Sequence, residues 1–316
     1  GGVSEERKGA SHHVPVLLGP AISSLNLKAD GCYVDGTFGR GGHSRAILEE
    51  LGSAGRLLAI DRDPQAIAEA PETITSDPRV ELINGKFSDL ERYAADRKLL
   101  GNVDGLLLDL GVSSPQLDHA GRGFSFRSDG PLDMRMDPAS GTSAADWLAT
   151  VDEKCLKKVL WKFGEESFAT RIARAICRAR EDQPITRTSQ LADLVEASVP
   201  RSRNKRHPAT KTFQAIRIFI NDELGELAAA LDASLALLRP GGRLCVISFH
   251  SLEDRAVKRF MRQASQEPEQ YRGLPDIPPQ FRPTMKVIGK AQAPGEDEIA
   301  RNARARSARL RVAERL

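Results

Sequence analysis

The chain has 316 residues, 40% hydrophobic and 28% charged, with a formal net charge of +3. That is ordinary globular composition, enough for one large domain or two smaller ones with their own cores. Apolar runs such as 106–108 and 244–249 are far too short for the roughly 20 residues of a membrane span, residues 1–10 are polar with no secretory pattern, and the four cysteines (Cys32, Cys155, Cys177, Cys245) show no C-x-x-C spacing for zinc or a disulfide framework. A soluble, reduced, cytoplasmic protein without a metal is expected.

From the N-terminus to about residue 110, short apolar runs alternate with helical patterns. Residues 32–35 form a short run ending in glycines, and 44–51 read as a helix. A second strand over 56–60 closes on Asp61 and is followed by a helix over 64–70. Strands over 80–83 and 103–108 follow, the latter ending at Asp109. Strands built of consecutive apolar residues and separated by helices indicate a parallel sheet covered on both faces, a doubly wound α/β fold.

The next comparable strand, 243–249, is announced by Pro240-Gly241-Gly242. The interval before it is much longer than one crossover helix requires. Thr142 or Ser143 can cap a helix with apolar positions Trp147, Leu148, Val151, Leu156, Val159, Leu160 and Phe163. Phe168, Ile172, Ala175 and Ile176 mark a second helix, and Thr188-Ser189 opens a third. These place a helical insert over residues 117–210, within a sheet domain of residues 1–116 and 211–316. Phe213, Ile216, Ile220, Leu224 and Leu227 predict one long helix back into the sheet, with closing strands over 285–288 and 309–312.

Charge is uneven along this framework. Arg outnumbers Lys 33 to 13, and the planar guanidinium suits phosphates and bases. Residues 197–221 hold Arg201, Arg203, Lys205, Arg206, Lys211 and Arg217 without one acid, and 299–316 hold six arginines against Glu314. Such runs are either solvated faces or tracks for a nucleic-acid backbone.

In open α/β sheets, ligands bind beyond the carboxyl ends of the strands. Those ends carry Asp35 and the glycine-rich stretch to His43, then Asp61, then Phe87-Ser88-Asp89, then Asp109. Glycines allow close backbone approach, and Asp61 is placed to accept hydrogen bonds from ribose hydroxyls. A nicotinamide dinucleotide and S-adenosylmethionine both fit this much. A dinucleotide site requires G-x-G-x-x-G opening a helix, but Gly39 and Gly41 are followed by Ser44, so the third glycine fails. The acids around the loop suit a cationic ligand better than a pyrophosphate.

Seven motifs occur in order: Asp35-Gly-Thr-Phe-Gly-Arg-Gly-Gly-His43, Ile60-Asp-Arg-Asp-Pro64, Leu108-Asp-Leu-Gly-Val-Ser-Ser-Pro-Gln116, Arg122-Gly-Phe-Ser-Phe126, Gly130-Pro-Leu-Asp-Met-Arg-Met-Asp137, His207-Pro-Ala-Thr210 and Ser248-Phe-His-Ser-Leu-Glu-Asp-Arg255. Together they make the chain, from His13 to near Leu316, resemble the RsmH (MraW) family of bacterial methyltransferases. The resemblance implies a Rossmann-like class I methyltransferase fold and methyl transfer from S-adenosylmethionine to N4 of a cytidine in small-subunit (16S) ribosomal RNA. It implies cofactor contacts at Gly41, Gly42, His43, Asp61, Phe87, Asp109 and Gln116, and RNA or an assembling small subunit as partner of a monomer or homodimer. Thr37 stands where general methyltransferase loops carry glycine.

An exocyclic amine is a poor nucleophile, so its enzyme gains by accepting hydrogen bonds from it and holding it in line. Asp109, with Ser113 or Ser114 as helper, is the candidate acceptor, although [D/N/S]-P-P-[Y/F] is absent here. In a chain only 5% aromatic, Phe124 and Phe126 between Arg122 and Arg127 could stack on an extruded base or anchor the insert. Arg201, Arg203 and Arg206 are candidate phosphate contacts, and His250 a candidate lining of the base pocket. A hydrolase triad of His250, Ser251 and Asp254 lacks an oxyanion-type glycine loop. The alternatives are an N4-cytosine DNA methyltransferase, a nicotinamide-dependent oxidoreductase and a non-catalytic RNA-binding factor.

Overall fold

The computed structural model describes residues 14–201 and 206–316. They form two compact units, one from the residues up to Gly111 together with Gly225–Leu316, the other from Val112–Leu224.

The first unit begins α1 (Leu18–Leu25), β1 (Cys32–Asp35), α2 (Gly42–Glu50), β2 (Arg56–Asp61), α3 (Pro64–Ala68), α4 (Glu72–Thr75), β3 (Val80–Asn84), α5 (Leu90–Asp96) and β4 (Val103–Asp109). Local chemistry sets these boundaries. Pro64 occupies the first turn of α3, and the Asp63 carboxylate caps it by accepting from the Gln65 N–H at 3.0 Å. After the second unit the chain returns through β5 (Leu238–Ser248), α13 (Ser251–Ser265), β6 (Met285–Val287), α14 (Glu296–Arg301) and β7 (Arg309–Arg315).

The strands form one seven-stranded sheet in the order β3-β2-β1-β4-β5-β7-β6, with β7 antiparallel to both neighbours. Alternate residues feed opposite apolar layers. Leu58, Ile60, Leu106, Leu108 and Val246 enter one, while Leu57, Ala59, Leu107, Cys245 and Ile247 enter the other. Two covered faces are why these strands read as continuous apolar runs. Strand order reverses between β1 and β4, and the crevice outside such a switch point is where this architecture binds ligands.

The second unit contains α6 (Ser114–Asp118), α7 (Ala144–Thr150), α8 (Glu153–Gly164), α9 (Ala169–Asp182), α10 (Thr188–Ser198) and α11 (Thr210–Ile220), and α12 (Glu223–Leu237) leaves it. Its core gathers Leu148, Leu156, Leu160, Ile172, Ile176, Leu191, Val195, Phe213 and Ile216.

Two expected helices are each divided. The helix expected through 147–163 breaks at extended Val151, where Asp152 caps α8 by accepting from the Lys154 N–H at 2.8 Å. The helix expected through 213–227 breaks at Asp222, whose φ of 45° is left-handed. Because α11 packs against α8, the helical unit extends to Leu224 rather than ending at 210. Among the described residues, no helix is long and apolar enough to cross a membrane.

Candidate active site

The loop from β1 to α2 is organised by carboxylates. Asp35 is fully buried and accepts from the Thr37 N–H at 3.0 Å and the Ser44 hydroxyl at 2.7 Å. The Thr37 hydroxyl lies 3.4 Å from Asp35 Oδ1 and accepts the Asp109 N–H at 2.7 Å, tying the ends of β1 and β4 together. Across the loop, Asp61 accepts from the N–H of Gly39 at 2.7 Å and of Asp63 at 2.9 Å. Each Asp61 oxygen keeps a lone pair for a further donor.

The glycines have separable tasks. A Cβ on Gly36 would lie 2.6 Å from Leu108 Cδ2 and 3.5 Å from Phe87 Cε1, so the Phe87 ring rests against the loop. Gly41 has a φ of 83° and a Cβ there would strike Ile74 and Phe38, while one on Gly42 would strike Pro15 at 2.2 Å. Those two positions serve packing whether or not their backbone also faces a ligand.

Asp35, Asp61 and Asp109 are all held above the usual carboxylate range here. Asp109 is pushed well above the usual carboxylate range by burial first, then by the Asp35 and Glu253 carboxyls. Burial also raises Asp35, with Ser44 and Thr37 opposing, and pushes Asp61 up to about 6. Asp109 Oδ1 is buried without a hydrogen-bond partner, although the side chain as a whole is 23% exposed. His43 Nδ1 lies 3.6 Å from Asp109 Oδ2. Burial lowers the imidazole to about 4, the Val16 backbone opposing, so it is neutral at physiological pH and makes no ion pair there.

At the end of β5, the Phe249 N–H donates to Glu253 Oε1 at 2.9 Å, and a Cβ on Gly111 (φ 95°) would approach Phe249 to 3.4 Å. His250 caps α13, with Nδ1 accepting from the Glu253 N–H at 3.4 Å. Its proton in the neutral form therefore belongs on Nε2, 3.4 Å from Glu253 Oε2. Asp254 is held instead by Arg311, at 2.7 and 3.0 Å, which lowers its carboxyl. That pairing leaves no Ser-His-Asp relay among these residues.

The remaining expected residues belong to the helical unit. Gln116 completes a capping box on α6, its Oε1 accepting from the Ser113 N–H at 3.0 Å and its own N–H donating to Ser113 Oγ at 3.3 Å. Phe124 is buried in the helical core with the Arg122 guanidinium 5.7 Å from its ring centre. Phe126 packs against His207 and Phe213 at 4.6 and 4.7 Å. Both rings thus contribute to packing within the unit. Arg201 and Arg206 are exposed, and Arg203 lies outside the described residues. Sequence reasoning overlooked Asn221, which is buried, accepts from the Met136 N–H at 2.8 Å, and donates to the carbonyls of Met134 and Arg217 at 2.8 and 2.9 Å. It fixes the segment where Met134 takes a left-handed φ of 65°.

The profile of the MraW methylase family matches residues 10–316. Similar solved structures include a candidate rRNA methylase from Clostridium thermocellum (13% identity, 96% of this chain and 100% of that one, TM-score 0.44). An rRNA methylase from Streptococcus thermophilus matches at 12% identity over 100% and 99% of the two chains, with a TM-score of 0.40. A methyltransferase candidate from Streptococcus mutans, solved with SAH, matches at 13% over 96% and 100%, also at 0.40.

Proposed function

This chain belongs to the MraW methylase family, and we propose that it methylates N4 of a cytidine in 16S ribosomal RNA. The protein is an S-adenosylmethionine-dependent methyltransferase. When bound, S-adenosylmethionine supplies an electrophilic methyl group on a cationic sulfonium.

The residues of the switch point fit that group. Asp35, Asp61 and Asp109, all held above their ordinary range by burial, form an acidic cluster in which Asp109 Oδ1 is buried without a partner. A cation entering it would favour ionisation of Asp109, since an opposite charge nearby stabilises a carboxylate. The open lone pairs of Asp61 suit ribose hydroxyls, the Phe87 ring an adenine face, and the Gly41 and Gly42 backbone the methionine portion.

The observation that carries the substrate assignment is Asp109 Oδ1, buried and lacking a donor at the end of β4. A base amine is a donor that must be held and relieved of conjugation with its ring. An anionic acceptor favours the positive charge that develops on the nitrogen and so acts mainly in the transition state. Burial first, then Asp35 and Glu253, keeps this acceptor basic, which suits removal of the departing proton. His43, neutral and buried, lies beside Asp109 without competing for its charge.

The helical unit serves as the substrate-recognition part in this reading, with Arg201, Arg203 and Arg206 at the phosphates and His250 beside the base. Such an enzyme works in the cytoplasm, where small subunits are assembled. The direct test is incubation with labelled S-adenosylmethionine and small subunits, free ribosomal RNA or DNA, followed by nucleoside identification. Label in N4-methylcytidine from RNA is expected. Label only in DNA or in another nucleoside overturns the assignment.

A further inference from the structure

Past its first turn, helix α13 carries one sign of charge. Arg255, Lys258, Arg259 and Arg262 are exposed at spacing i, i+3, i+4 and i+7, and no acid follows Asp254 on the helix. The opposite side is apolar, with Val257 and Met261 buried in the sheet core. Like charges four residues apart, as in Lys258 and Arg262, oppose helix formation. Lys258, Arg259 and Arg262 have no ion-pair partner among the described residues to offset this.

The last turns of α13 also border a groove of about 250 Å³, together with Val287, Lys290 and Arg311 at the edge of the sheet. No lining residue is acidic. Arg311 is neutralised by Asp254, which leaves Lys258, Arg262 and Lys290 as uncompensated cations. The stripe begins close to the candidate active site, because His250 caps the same helix. It then runs away from that site, covering about 10 Å between Arg255 and Arg262 at 1.5 Å per residue.

We propose that this groove and stripe bind the sugar–phosphate backbone of the substrate RNA, outside the nucleotide that reacts. The inference rests on the RNA reading given above. A solvated helix face would be expected to mix signs, and a single small anion needs fewer cations than a line of them. A polyanion laid along α13 matches both the spacing and the concavity, and each phosphate contact releases counterions.

The test uses the whole protein with Lys258, Arg262 and Lys290 changed together to Glu. Ribosomal RNA binding is followed by fluorescence anisotropy at several salt concentrations. For single strands the slope of log K against log salt is expected to become shallower by about 2, with weaker binding throughout. The KM for RNA should rise while kcat at saturating RNA and S-adenosylmethionine affinity stay as in the unaltered protein. The triple alanine variant keeps the test valid if charge reversal unfolds the helix, and circular dichroism reports on that. An unchanged salt slope and KM in a folded variant overturn the groove as an RNA site, and leave the methylation reading standing if RNA is still modified. A lost slope in a protein that modifies no RNA supports the groove and overturns the methylation reading instead.

Discussion

The hydroxyl of Thr37 accepts the backbone N–H of Asp109 at 2.7 Å, across 72 residues of sequence. One side chain thereby fixes the spacing of the two strand ends that carry the acidic cluster.

Replacing Thr37 with Val keeps the shape and removes that acceptor. An unpaired backbone donor at a largely buried site should lower stability by about 1–3 kcal/mol. Denaturant unfolding measures the loss, and kcat should fall as Asp109 shifts. Wild-type stability in Thr37→Val would show that water replaces the hydroxyl.

Asp109→Asn separates chemistry from cofactor binding. If Asp109 holds the base amine, the neutral amide should lower kcat with little change in the KM for S-adenosylmethionine. Single-turnover rates at saturating cofactor read this directly. A normal rate with a raised KM would assign Asp109 to the cofactor alone.

Asp61 and His43 should act on stability with opposite sign. The Asp61 carboxyl is raised to about 6, so between pH 4 and 6 the folded state binds more protons than the unfolded chain, and this contribution is lost as pH rises. Its size is on the order of 3 kcal/mol. The His43 imidazole is lowered to about 4, so its contribution is present above the ordinary histidine value and is lost as pH falls. Unfolding free energies of Asp61→Asn and His43→Gln, each subtracted from wild type across pH 4–7, should slope in opposite directions. Parallel slopes would contradict the burial of one of the two groups. S-adenosylmethionine affinity should also weaken below about pH 6 as Asp61 is protonated.

Asn221→Ala removes three hydrogen bonds and leaves the Met136 N–H and Met134 carbonyl without partners. A loss of about 2–4 kcal/mol is expected from the unpaired groups. Calorimetry should show a lower melting temperature, with S-adenosylmethionine affinity retained.

The sheet was legible because each buried strand supplies apolar residues to two covered faces, as Leu106, Leu107 and Leu108 do. The helix breaks at Val151 and Asp222 were not, because apolar spacing continues across both. Asp152 was the available sign of the first, being a good cap. The capping box of Ser113 and Gln116 was equally readable from its S-x-x-Q spacing. The bond from Asp109 to Thr37 and the clamp of Asn221 on Met134 and Met136 join residues distant in sequence, and periodicity carries no trace of such pairs. Charge runs were ambiguous for the same reason. Arg311 and Arg315 of the C-terminal run are consumed by Asp254 and by backbone carbonyls, whereas Arg201 and Arg206 stay exposed.

The order β4-β5-β7-β6 sets a schedule for synthesis at the ribosome. Strand β4 emerges long before β5, with the whole helical unit translated between them, and its edge remains open meanwhile. Strand β6 then emerges before β7, the neighbour that joins it to the sheet. Pairings this distant slow folding because loop closure precedes the contacts that reward it. The nascent sheet therefore depends on protection of its exposed edges until β7 has been made.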